Sequence, residues 1–217
     1  MKILRLIFVL IVLAASFYAL KIYRENQLLN KIIQRLTADS RVAEVLVTDV
    51  RFDPNTGKNY TTIKFLEYDT KMRSLEPKYF TFSENIIQFQ AMVIRFDDFY
   101  VKKGHPLKGR SAYIFLKAFA LTDKGAESFE INRINEVPSG YRVEGTKSSF
   151  QRRLWRKFWE YALNAKSAKI AGIRNAQIEA PGTKFIPGML YTIKIEHLGG
   201  LRIDSQQLSP ILKGEKL

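Results

Sequence analysis

No cysteine occurs in this chain, and that absence excludes disulfides, thiol nucleophiles and cysteine-ligated zinc or iron–sulfur centres. Histidine is nearly as scarce. His105 and His197 stand far apart, with no metal-ligand spacing and no H-E-x-x-H motif. There is no G-x-S-x-G, no P-loop and no dinucleotide fingerprint. The sole adjacent acidic pair is Asp97-Asp98; neighbours on a strand point to opposite faces, which argues against a shared acid–base role. No cofactor or metal is expected. Acidic residues are also short, 21 against 35 basic ones, which leaves a formal charge of +14. Such a surface attracts phospholipid heads, an acidic protein or nucleic acid.

Glycine and proline are missing before Pro54, so nothing punctuates a helix across the first fifty residues. Leu6 to Leu20, LIFVLIVLAASFYAL, is an uncharged apolar run of 15 residues. Crossing ~30 Å of hydrocarbon takes about 20 residues at ~1.5 Å each. Extending the run from Ile3 to Tyr23 reaches 21 if Arg5 and Lys21 snorkel to the two interfaces. A transmembrane signal anchor over 1–23 is therefore expected. The competing reading is a secretory signal peptide, with Ala14 and Ser16 as the small residues before a cut that would leave Phe17 first. Beyond the anchor, Ile22, Leu29 and Leu36, joined by Ile32 and Ile33, make an apolar stripe on a juxtamembrane helix or stalk over 24–40. That stripe suits self-association or a protein partner.

Lys2 and Arg5 precede the run, whereas Lys21, Arg24, Lys31 and Arg35 follow it, so the positive-inside rule alone would leave the C-terminal side in the cytoplasm. The short basic head before an apolar stretch has the layout of an export signal, and that layout decides the expectation. The soluble part is placed outside the inner membrane, periplasmic or extracytoplasmic. Export makes nucleic acid an unexpected partner, and the missing disulfides fit a bacterial envelope.

Residues 41–204 are expected to form one strand-dominated α+β domain, followed by a flexible tail over 205–217. Val45–Phe52 and Tyr60–Tyr68 read as a hairpin around the turn Asp53-Pro54-Asn55-Thr56-Gly57. Tyr79–Phe82, Ile86–Phe96 and Ser111–Leu121 read as strands, with weaker ones near Phe129–Ile131 and Tyr141–Val143. Ser148 to Gln151 matches a capping box and opens one amphipathic helix, predicted to run to Ala171. Phe150, Leu154, Trp155, Phe158, Tyr161, Ala162 and Ala165 are predicted to line its apolar face, with Trp159 at the basic edge. Gly172–Glu179, Met189–His197 and Leu201–Asp204 close the strand set.

Two basic clusters form the candidate anionic contact surface. One is the loop KKGHPLKGR with Lys102, Lys103, Lys108 and Arg110; the other is the helix cluster of Arg152, Arg153, Arg156, Lys157 and Trp159. The stretches FDDFYVKKGHPLKGRSAYIFLKAFA and FWEYALNAKSAKIAGIRNAQIEAP resemble bacterial single-pass envelope proteins, a resemblance that implies a location and no activity. The expected function is non-enzymatic: a membrane-anchored structural or accessory subunit of a cell-envelope assembly. The alternative is an exported binding module for an anionic ligand, a lipid head group or a glycan. An enzyme using Asp97, Asp98 or Glu160 is the least favoured reading.

Overall fold

The computed structural model describes residues 5, 7–20, 23, 43–69, 73–96, 111–142, 148–170, 173–195 and 200–209. Among these residues ten strands form two antiparallel sheets. The first has the order β10-β9-β1-β2-β3, built from β1 (Ala43–Asp53), β2 (Lys58–Glu67), β3 (Lys78–Phe82), β9 (Met189–Ile195) and β10 (Leu201–Gln207). The second has the order β6-β5-β4-β7, from β4 (Ile86–Phe96), β5 (Ser111–Thr122), β6 (Gly125–Glu130) and β7 (Ile173–Glu179). β8 (Gly182–Lys184) pairs with the other end of β4. β7 and β8 thus share one edge of β4, interrupted at Ala180-Pro181, where proline has no N–H for the ladder.

Alternation explains the interior. Ala43, Val45 and Val47 of β1 and Ile63 and Phe65 of β2 are buried, and their neighbours are more accessible. Ile87, Phe89, Ala91 and Val93 of β4 meet them from the second sheet in one apolar core. Phe65 is its centre, with ring centroids 5.3 Å from Phe89, 5.2 Å from Phe115 and 6.3 Å from Phe80. Each such ring contributes about 1.5–3 kcal/mol through burial.

Two bulges set which side chains enter that core. In β5 the partner of β4 steps from Lys117 to Phe115, so Leu116 is the extra residue. The step turns both Tyr113 and Phe115, before it, and Ala118 and Ala120, after it, toward the core. Unbroken alternation would have turned Lys117 and Phe119 inward instead. The Leu116 carbonyl accepts from Ile131 N at 2.8 Å and from Asn132 N at 3.2 Å, which fixes the segment after β6 against the bulge. In β1 the extra residue is Thr48, whose hydroxyl donates to the Thr62 carbonyl at 3.3 Å.

The opposite face of the second sheet is also apolar: Met92, Ile94, Ile114 and Leu116 are buried. Two helices, α1 (Ser148–Leu163) and α2 (Ala165–Ile170), form a third layer alongside β7. One continuous helix was expected here. Asn164 divides it, its side-chain oxygen accepting from Lys166 N at 3.0 Å and Ser167 N at 3.3 Å and so capping α2. Two further expectations are corrected. Ser139–Tyr141 is a turn of 3-10 helix, where a weak strand was expected around Tyr141. β10 continues through Gln207 and Leu208 is buried, so the expected tail begins with sheet structure.

Residues 7–20 are helical, and every one of them is exposed. Those 14 residues rise about 21 Å at ~1.5 Å each. Among the described residues no helix is long and apolar enough to cross a membrane, so the transmembrane helix expected from Ile3 to Tyr23 is not supported by the fold. The expected stalk over 24–40, including Leu29, Ile32, Ile33 and Leu36, lies outside the described residues, as does Ile22.

Candidate functional site

Of the two basic clusters expected from sequence, one can be placed. Arg152, Arg153 and Arg156 are exposed along one side of α1, together with Glu160 and Leu163. Arg152 and Arg156 make no ion pair among the described residues. Lys102, Lys103, Lys108 and Arg110, with His105, Asp97 and Asp98, lie outside the described residues, as do His197 and the side chain of Lys157.

Trp159 does not belong to that basic surface. It is 0% exposed, and its indole N–H donates to the Glu136 carbonyl at 2.9 Å. Among the described side chains of α1, Gln151, Trp155, Phe158, Trp159 and Ala162 are buried, the i, i+4, i+7, i+8, i+11 spacing of a single helical stripe. Trp159, expected at the basic edge, thus belongs to the buried side of the helix. The cause is tertiary: the loop after β6, carrying Glu136 and the buried Tyr141, covers this side of the helix. The Tyr141 ring lies 5.3 Å from Trp155, and its hydroxyl donates to the Tyr113 carbonyl at 2.9 Å.

A second feature was not foreseen. β1 pairs with β9 only over Ala43–Leu46, and β2 pairs with β3 only from Thr61 onward. Past those points the β1–β2 hairpin runs on as a two-stranded ribbon among the described residues, with Val50 46% and Phe52 58% exposed. Its tip is closed by Asp53, whose carboxylate accepts from Asn55 N at 2.9 Å and from the Thr56 hydroxyl at 3.1 Å. The Asn55 N–H, more than any other contact, holds the Asp53 pKa below the ordinary carboxylate value. Gly57 completes the turn with φ +66°, a conformation costly for residues bearing a Cβ.

Beside the ribbon lies an open cleft of about 420 Å³, within the ~300–1,000 Å³ range of small-ligand sites. Val50, Ile186 and Pro187 supply apolar lining, and Lys58, Asn59, Thr61, Glu84 and Asn85 supply polar groups. Its walls are pinned from behind. The Tyr191 hydroxyl donates to the Lys184 carbonyl and accepts from Ile186 N, both at 3.0 Å. Phe185 N donates to the Asn85 carbonyl at 2.7 Å, and one Glu127 oxygen accepts from Ser83 N at 2.8 Å and the Ser83 hydroxyl at 3.0 Å. No sequence motif marks this cleft, because its lining comes from three separated segments that only the sheet pairing unites.

Among the described residues no group of His, Asp or Glu side chains is placed to hold a metal ion. No family model, curated protein or solved structure matches the chain.

Proposed function

We propose that this protein is a single-pass membrane-anchored accessory or structural subunit of a bacterial cell-envelope assembly, with its β-domain on the outer side of the inner membrane. The observation that carries the reading is the helical run over 7–20. It presents Phe8, Leu10, Ile11, Leu13 and Phe17 at 59–73% exposure, with nothing among the described residues burying them. A contiguous apolar surface of this kind requires an apolar environment from elsewhere, and a lipid bilayer supplies it. The arginine side of α1 adds a cationic face suited to an acidic partner or to lipid heads. That same face supports the second reading, an exported module that binds an anionic ligand.

The test is fractionation of cells producing the full chain, followed by alkaline carbonate extraction of the membranes. The protein should remain with the membrane, and a Leu10→Lys, Leu13→Lys variant should be released. A wild-type chain found in the soluble fraction would sink the anchor. Purification from detergent then separates the two functional readings: a stoichiometric protein partner supports the subunit, and bound anionic lipid or sugar without a partner supports the module.

A further inference from the structure

We propose that the cleft beside the β1–β2 ribbon is a binding site for a neutral sugar, one or two pyranose units of a glycan. The inference goes beyond the membrane-subunit reading and does not depend on it. It rests first on Thr61. This side chain is 2% exposed and lines the cleft, yet its hydroxyl has no hydrogen-bond partner among the described residues. The hydroxyl oxygen is not sealed from solvent, so it is free to donate to or accept from a ligand in the cleft. The side-chain amides of Asn59 and Asn85 also lack partners among the described residues and line the same space.

Hydroxyl and amide groups each donate and accept, as sugar hydroxyls do, so the three side chains match a polyhydroxylated ligand in kind. Val50, Ile186 and Pro187 offer an apolar surface for the C–H face of a pyranose ring. Lys58 and Glu84 contribute one charge of each sign and no ion pair between them, so the cleft carries no net charge that would select an anion. The backing hydrogen bonds from Tyr191 and Glu127 hold the walls in place before binding, which lowers the ordering cost.

The probes are maltotriose, cellotriose and triacetylchitotriose, titrated into the full chain in detergent micelles and followed by calorimetry and by the side-chain amide NMR signals of Asn59 and Asn85. Trialanine serves as a peptide comparison. The expected result is saturable binding of at least one trisaccharide, weakened about tenfold by Thr61→Val, as loss of one good hydrogen bond predicts. Asn59→Ala, at an exposed ribbon position, should weaken binding without moving the melting transition. It keeps the test intact if Thr61→Val fails to fold. Three outcomes would overturn the proposal: no trisaccharide binding, binding indifferent to both Asn59→Ala and Asn85→Ala, or binding of trialanine in place of the sugars. The last would make the cleft a peptide site.

Discussion

Trp155 and Trp159 are both fully buried, but they differ in their polar ends. The Trp159 N–H is bonded to Glu136, whereas the Trp155 N–H is buried with no acceptor among the described residues. Truncating either to Ala should destabilise the domain by about 3–5 kcal/mol, the range for large aromatic rings. Phe substitutions separate the ring from the hydrogen bond. Trp159→Phe should cost roughly 1 kcal/mol more than Trp155→Phe in denaturant unfolding, because it also leaves the Glu136 carbonyl without its donor. Equal losses would show that the Glu136 bond adds nothing net. Spacing along the helix correctly identified Trp155 as a core residue. It missed Trp159 because the segment between β6 and the helix folds back over this side, and a helical wheel has no knowledge of it.

At the scale of elements, Asn132 joins three pieces. Its amide donates to the Phe115 carbonyl at 2.8 Å and its oxygen accepts from Ser139 N at 3.1 Å, tying the β5 bulge to the turn that carries Tyr141. Asn132→Leu should therefore cost about 1–3 kcal/mol by thermal or denaturant unfolding, the penalty for stranding partly buried partners. Amide exchange at Ser139 should quicken well before global unfolding. The hairpin tip responds to pH. The Asp53 pKa is lower folded than unfolded, so the unfolded chain takes up a proton first as pH falls. Its stabilisation is complete above the ordinary carboxylate value and is lost as pH drops through the depressed one. Asp204, held down chiefly by Lys194 at 3.0 Å and then by Arg202, follows the same sign. Amide exchange at Asn55 should accelerate over that acid window, and an Asp53→Asn variant should show a flat response there.

For the whole molecule, the helical run over 7–20 and the β-domain should behave as thermodynamically separate parts, because the side chains of that run are exposed along its length. The Leu10→Lys, Leu13→Lys variant should melt at the same temperature as the parent in detergent, while losing membrane retention. A lowered melting temperature would mean that the apolar run packs on the domain. The arginine side of α1 is exposed and Arg152 and Arg156 make no ion pair among the described residues, so neutralising the two together should leave stability within about 0.5 kcal/mol. The same double variant should bind anionic vesicles or acidic partners less well if that face is a contact surface.

The residues themselves determined the strand-rich class, the hairpin at Asp53–Gly57, the β4 boundaries and the start of α1 at Ser148. These depend on local signals: alternation, turn chemistry and the onset of helical spacing. Tertiary structure alone decided the rest. Leu116 and Thr48 became bulges because opposing strands had to keep their apolar faces in one core, a condition no single strand contains. Asn164 fits the interior of a long helical pattern yet caps a new helix. Trp159 turned inward because the connection from β6 folds back over it. The cleft exists because β1 and β2 outrun their neighbours in the first sheet, so that Thr61, Asn85 and Ile186 come to share one space. Local propensity fixes what each segment can be, whereas pairing and burial are long-range and settle which surfaces are left open.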